Sequence, residues 1–352
     1  MGQWDSRAPL PTKLAFPADP AYNGRVLENN GSLSDNPPDP DTSRKSRRWI
    51  WFLLAAALLL IGAWLFNVSR PGGRVEGCPE GCATVAPRTE GPLRVLSLNM
   101  LHGFPRFEHL DDRLDLIAAE IQRLDPDIVC LQEVPWHWGS AAQDLAARTG
   151  LNHLYMRANG NRWAILFEEG EAILSRYPLR DAAAVGLQPR AGFFEHRVAL
   201  QATAVTPWGD LRVISTHLTH GDPEVNETQA ASLIAFVNAS GTSAAPAVVA
   251  GDFNARENSP QIQALQAAGW IDTHRAAHPD DPGVTCCVDD LTDPDQVLDK
   301  RIDYIFLVPG ESFGEILDSR VILNQPAPSG DGWLWASDHA GLLTALSGAP
   351  AQ

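Results

Sequence analysis

An α/β domain behind one long apolar helix is the fold class the sequence predicts, on three observations. Short β-rich runs alternate with amphipathic stretches. The order strand, helix, strand occurs twice with nearly the same spacing. Residues 49–66, WIWFLLAAALLLIGAWLF, form 18 consecutive positions without a charge.

The apolar run is the first element. As a helix it extends about 27 Å, against a bilayer hydrocarbon core of roughly 30 Å. A buried core helix would carry a polar stripe, and a cleaved signal would end in a small-residue cleavage site; this run has neither, and 48 residues precede it. It reads as a retained transmembrane signal anchor over 49–66. Arg44, Lys45, Arg47 and Arg48 flank its start, while only Arg70 and Arg74 follow it closely, so the tail 1–48 is expected in the cytoplasm and the C-terminal bulk outside. The tail, rich in Pro, Asn, Asp and Ser, is expected to be disordered, and 67–92 to form a stalk. Cys78, Cys82, Cys286 and Cys287 suit an oxidising compartment and allow three pairings. No histidine stands at ligand spacing from either pair, which argues against zinc, and Cys130 reads as a small core residue.

The globular part begins near Pro92. LRVLSLNM (93–100) reads as a strand, and DDRLDLIAAEIQRL (111–124) places Leu114, Ile117, Ile121 and Leu124 on one helical face; PDIVCLQEV is a second buried strand. The order recurs as the strand LRVISTHL (211–218), the helical stretch NETQAASLIAFVN (226–238) and the strand PAVVAGDFN. Asn99 and Glu133 lie 34 positions apart, and His217 and Asp252 lie 35 apart. These are two similar halves whose strands end in polar residues, and the ends of buried strands are rigid platforms for such side chains.

An isolated Asp252-Phe253-Asn254 would be a turn cap before the helix starting near Ser259. It is not isolated. RIDYIFL (301–307) places Asp303 early in a strand, SDHAGLLTAL (337–346) places Asp338 and His339 just before one, and FFEHRVAL (193–200) does the same with Glu195 and Arg197. Over 93–346 the series LSLNM, LQEV, ILSRYPL, STHL, GDFNA, RIDYI and SDHAGL resembles, in order, the endonuclease/exonuclease/phosphatase superfamily, which includes deoxyribonuclease I and the neutral sphingomyelinases.

The resemblance implies a catalytic domain over 93–346 built as a four-layer sandwich, two packed mixed β-sheets flanked by helices. It implies that Glu133, with Asn99 and Asp338, holds Mg²⁺ (or Mn²⁺), an ion suited to hard oxygen donors. His339 matches the base that activates water, and Asp303 the acid that orients its imidazole. His217, supported by the residue matching Glu195, would stabilise the phosphate or protonate the leaving oxygen. Asp252 and Asn254 would bind phosphate and position the attacking water, with Arg197 as a further substrate contact. His220 has no assigned role.

The expected activity is therefore that of a membrane-anchored, divalent-metal-dependent phosphoesterase, a phosphodiesterase in the first place, with no obligate protein partner evident. A non-catalytic binding domain would have no reason to keep these residues together. The substrate is a phospholipid or a nucleic acid. Residues 49–352 carry 37 acidic and 20 basic side chains, a formal −17, whereas a polyanion is bound mainly through Lys and Arg. Trp136, Trp138, Phe193, Phe194, Trp333 and Trp335 adjoin matched positions as an apolar rim. A lipid or other amphiphile is thus favoured over the substrate of a deoxyribonuclease I-like nuclease.

Overall fold

The computed structural model describes residues 40–68, 70–239, 246–310 and 313–348; the disorder expected of residues before Pro40 concerns a segment outside them. Pro40–Val68 is a single α-helix, within which Arg47–Val68 is long and apolar enough to cross a membrane, with a mean hydropathy of 2.3. The helix begins ahead of the apolar run, so Arg44, Lys45, Arg47 and Arg48 are helical rather than part of an irregular tail.

Two mixed sheets make the domain. The first runs in the order Glu76–Cys78, Asn152–Asn161, Phe167–Ser175, Ile128–Trp136, Leu93–Asn99, Gly341–Gly348, Phe313–Ile322. The second runs Ile271–Asp272, Asp303–Val308, Ala247–Asp252, Gly209–His217, Val198–Thr206, Leu179–Gly186. Val95, Cys130, Ile173, Leu200, Val213 and Val248 belong to one buried cluster that joins the sheets face to face. Helices Leu110–Leu124 and Ala141–Thr149 bury Leu114, Ile117, Ile121 and Leu145 with residues of the first sheet. Helices Pro223–Ala239 and Pro260–Ala267 bury Leu233, Val237, Ile262 and Leu265 with residues of the second. The result is the four-layer sandwich. Strand residues face helices on one side and the partner sheet on the other, which is why the central strands read as nearly continuous apolar runs.

The two expected halves are present. Leu93–Asn99 pairs in parallel with Ile128–Trp136 across helix Leu110–Leu124, and Gly209–His217 pairs in parallel with Ala247–Asp252 across helix Pro223–Ala239. Parallel neighbours need such a crossover, and it carries both strands' C-terminal ends to the same side.

The segment expected as a stalk is not free chain. Glu76–Cys78 adds antiparallel to Asn152–Asn161, Gly72 N donates to Arg157 O, and Thr84 N donates to Gly150 O. Arg88 pairs with Asp125 and with buried Asp127. The four paired cysteines form two local bridges, Cys78–Cys82 and Cys286–Cys287, and Cys130 is a buried free thiol.

Candidate active site

The register of the second sheet brings three chemical side chains into line. His217 lies opposite Asp252 in the parallel pair, and Asp252 lies opposite Asp303 in the antiparallel pair. Gly251 makes this possible, because a Cβ there would overlap the Thr216 carbonyl oxygen of the neighbouring strand. His339, just before Gly341–Gly348 of the first sheet, donates from Nδ1 to Asp303 Oδ2 at 2.9 Å, and its Nε2 lies 3.8 Å from Asp252 Oδ2. Asp252, Asp303 and His339 are all buried, with ligand atoms within 4.8 Å of one another. Asp303 Oδ1 is buried without a hydrogen-bond partner among the described residues, an acceptor open to a donor or a cation.

The first sheet contributes from the opposite wall. Glu133 sits at a break in register between Leu131 and Val134, with φ of 54°. Such a bulge redirects a side chain, and Glu133 lines a cleft of about 440 Å³ together with Arg197, His217, Asp252, Asp338 and His339. Asn99 donates from Nδ2 to Glu133 Oε1 at 3.3 Å and to Asp252 Oδ2 at 3.1 Å, and its Oδ1 accepts from Leu101 N. Asn99 therefore braces two carboxylates as a donor. Its Oδ1, which accepts one hydrogen bond from Leu101 N, keeps a second lone pair that a cation could use.

The profile described as the Endonuclease/Exonuclease/phosphatase family matches residues 96–339. The chain belongs to this family. Its members are hydrolases acting on phosphoesters. Similar solved structures include a mannosyl-6-phosphatase of Bacteroides thetaiotaomicron, 19% identical, TM-score 0.60, with 72% of this chain and 99% of that one covered. An endonuclease/exonuclease/phosphatase of Beutenbergia cavernae is 25% identical, TM-score 0.55, covering 72% and 71%. The human Nocturnin catalytic domain is 21% identical, TM-score 0.55, covering 73% and 94%. No curated protein matches the chain by sequence.

Within this family fold, Glu195 reaches His217 through Arg197 rather than directly: Arg197 Nη1 donates to His217 Nδ1 at 3.1 Å, while Glu195, nearly half exposed, pairs with Arg197 at 3.0 Å. The loop ahead of Val198 turns the arginine, not the glutamate, toward the histidine. Asn254, at φ of 48°, has Nδ2 2.9 Å from His217 Nε2 and donates to Leu218 O. With Nδ1 accepting from Arg197, the ring's one hydrogen sits on Nε2, which lies 3.4 Å from Asp252 Oδ2. Burial first, then the Arg197 charge, hold the His217 pKa well below the ordinary value, and the ring is neutral.

The remaining titrations divide by environment. Burial would lower the His339 pKa, but Asp303, by charge and hydrogen bond, then Asp252 and Asp338, outweigh it and raise it well above the usual imidazole value. Asp252 is pushed up to about 7 by burial and then by Asp303. Burial would also raise Glu133, but His102, Arg197, the His102 amide and Asn99 prevail, and its pKa is lowered. Asp338 is raised by burial, with Glu133 adding to the effect against His339. Two carboxylates, one of them firmly ionised, therefore face the same cleft as a hard oxygen donor set.

Two positioning residues were not evident in the sequence. Arg113, fully buried on helix Leu110–Leu124, donates to Met100 O at 2.7 Å and Leu101 O at 3.0 Å. Asn226, buried on helix Pro223–Ala239, donates to Thr219 O at 2.7 Å and Phe253 O at 2.9 Å. Each ties the helix of its half to the loops beyond the strand ends, and each reads in sequence as an ordinary surface residue. His102 approaches Glu133 Oε2 at 3.5 Å, and exposed His220 faces Asn254 Oδ1 at 3.1 Å.

Proposed function

We propose that the domain is a divalent-metal-dependent phosphodiesterase whose attacking water is activated by His339. The observation that carries this reading is the convergence of the His339–Asp303 pair, neutral His217 and buried Asp252 on the cleft that Glu133 and Asp338 line. Glu133 and Asp338 would hold Mg²⁺ or Mn²⁺, with Asn99 bracing Glu133; a bound cation would neutralise charge developing on a phosphoryl oxygen. His339 Nε2 accepts the proton of the attacking water, and Asp303 holds the opposite nitrogen and stabilises the imidazolium that results. Asn254, Arg197 and uncharged His217 hydrogen-bond the phosphoryl oxygens. Asp252, beside His339 Nε2, positions the water.

The helix Pro40–Val68 would anchor the protein, with the domain on the extracytoplasmic side; the basic cluster Arg44–Arg48 and the two disulfides support that orientation. A lipid-type substrate is favoured by aromatic exposure. Trp138, Phe193, Phe194 and Trp333 are exposed, although Trp335 is buried and Trp136 stacks under Arg162. A second groove shares Asp338 with the cleft, and Leu101, Phe104, Val288 and Leu291 line it among polar residues such as Glu108 and Asp289, a mixed surface that an amphiphile could use. One observation favours a nuclease instead: Arg197, Arg256 and Lys300 line the cleft and would suit a polyanion.

The test uses the full chain in detergent micelles. Bis-p-nitrophenyl phosphate should be hydrolysed with Mg²⁺ and not with EDTA; equal rates in EDTA would sink the metal-dependent reading. Sphingomyelin or phospholipid vesicles should then be cleaved faster than plasmid or single-stranded DNA. Rapid nicking of DNA with inert vesicles would replace the lipid reading with the nuclease one.

A further inference from the structure

One wall of the cleft is formed by Cys286 and Cys287, adjacent residues joined by a disulfide. Cys286 is fully buried, and its Sγ lies 3.5 Å from His339 Nε2. Cys287 is half-buried and lines the cleft. The backbone around the pair is tied to both members of the His339–Asp303 pair. Thr285 Oγ1 accepts from the amides of Ile302 at 3.3 Å and Asp303 at 3.2 Å. Thr285 O accepts from Ala340 N at 2.7 Å, and Val288 N donates to Asp338 O at 3.1 Å. Cys286 O accepts from the amides of Asp299 and Lys300, both at 2.8 Å. Residues 285–288 therefore sit between the segment that delivers Asp303 and the segment that delivers Asp338 and His339. The closed ring of two cysteines lies in the middle of that clamp.

We propose that the Cys286–Cys287 disulfide is a positioning element for His339 and Asp303, and that the oxidised form is the active one, switched down by a dithiol reductant entering through the cleft. The inference rests on reading His339 as the base. It goes further by making competence depend on the sulfur pair. A thiolate of the dithiol attacks Cys287 Sγ; the S–S bond breaks, and Cys286 leaves and takes a proton. The reagent's second thiol then closes onto its own sulfur, releasing Cys287 as a thiol, so two electrons and two protons reach the protein and the reagent ends as a cyclic disulfide. Two consequences follow at His339. The 285–288 clamp loses its ring closure, and Cys286, which as a disulfide has no hydrogen to give, becomes an S–H donor beside the nitrogen that must accept the water's proton.

The other bridge supplies the control. Cys78–Cys82 lies on the segment paired with Asn152–Asn161, at the edge of the first sheet, and neither cysteine lines the cleft. The experiment compares the full wild-type chain with the Cys78→Ser/Cys82→Ser variant, both with Mg²⁺ as the only metal because thiols bind that hard ion poorly. Dithiothreitol is the reductant, and mass spectrometry counts the thiols at each pair. With Cys286 and Cys287 reduced, kcat should fall at least about tenfold, as expected when a reacting group is misplaced by an ångström or less. KM should move little, far-UV circular dichroism should not change, and reoxidation should restore the rate, all equally in the variant. The His339 imidazole resonance, identified by its absence in His339→Gln, should shift on reduction.

A reduced pair with unchanged kcat and an unmoved His339 signal overturns the proposal. So does a loss that tracks Cys78–Cys82, or one that accompanies unfolding. If the oxidised chain shows no Mg²⁺-dependent turnover at all, the phosphodiesterase reading fails separately. The His339 signal then decides alone, a shift supporting the positioning role and its absence rejecting it.

Discussion

In the half built on Leu93–Asn99 and Ile128–Trp136, the parallel register sets Asn99 beside Gln132, and Glu133 follows at a bulge with positive φ. In the half built on Gly209–His217 and Ala247–Asp252, the register sets His217 directly beside Asp252 with no break. Both halves brace their strand ends from the crossover helix, through Arg113 in one and Asn226 in the other. The regular half carries its carboxylate at the strand end beside Asp303, where burial and that neighbour push it up to about 7. The bulged half turns its carboxylate into the cleft among cations and donors, which keep it ionised. One local irregularity thus separates a carboxylate fit to hold a cation from one fit to take part in a proton network.

The largest expected effects break the comparison outright. His339→Ala and Glu133→Ala should each reduce turnover by about 10³-fold, within the range of a lost acid–base group. Calorimetric titration with Mn²⁺ should show affinity abolished in Glu133→Ala and retained in His339→Ala. Loss of metal by the histidine variant would mean that the buried Asp252, Asp303 and His339 group is the cation site instead.

Next in size is the pH profile. The base form of His339 is the deprotonated one, and its carboxylate neighbours raise its pKa, so kcat/KM should climb as pH rises beyond the ordinary imidazole range, by about tenfold per unit on the lower limb for a single required deprotonation. Asp303→Asn removes the chief raising partner and should move that limb to lower pH while lowering the plateau. A profile falling with pH over the same range would show that His339 works as an acid.

A smaller effect separates the halves by stability. Asp252 binds its proton more tightly folded than unfolded, so its contribution falls as pH rises from the ordinary carboxylate range to about 7 and stays low above it. Asp252→Asn should therefore raise stability by about 1–2 kcal/mol at pH 8, the usual gain from relieving a functional site. The gain should vanish near pH 4, as read by thermal melts. Glu133→Gln should show no such gain. The smallest contrast lies at the support of His217: Arg197→Ala should lower kcat/KM about tenfold, whereas Glu195→Ala should change it less than about twofold, the effect of one exposed ion pair.

The sequence exposes the frame because buried central strands leave apolar runs, and a polar residue closing such a run stands out. Asn99, Glu133, His217 and Asp252 were legible for that reason, whereas Asp303 and His339, at the starts of strands, were legible through the motifs RIDYI and SDHAGL. The bulge was not, since nothing in LQEV marks a positive φ at Glu133. Phe167–Ser175 was masked by its glutamates. All nine of its residues are buried, with Glu168 paired to Arg157 and Arg162, and Glu171 accepting from Ser215 Oγ, partners that only the fold supplies. Arg197 and Glu195 stand two residues apart on an irregular loop, where spacing does not say which one turns inward.

The three-residue strand Glu76–Cys78 has a consequence for handling the protein. It is the outermost member of the first sheet and covers the free side of Asn152–Asn161, where His153, Leu154 and Tyr155 would otherwise offer unpaired backbone groups to any passing chain. Bare strand sides template intermolecular pairing. A soluble version cut at the apparent domain start near Pro92 would expose that side and self-associate, whereas one that begins at Gly72 keeps it closed.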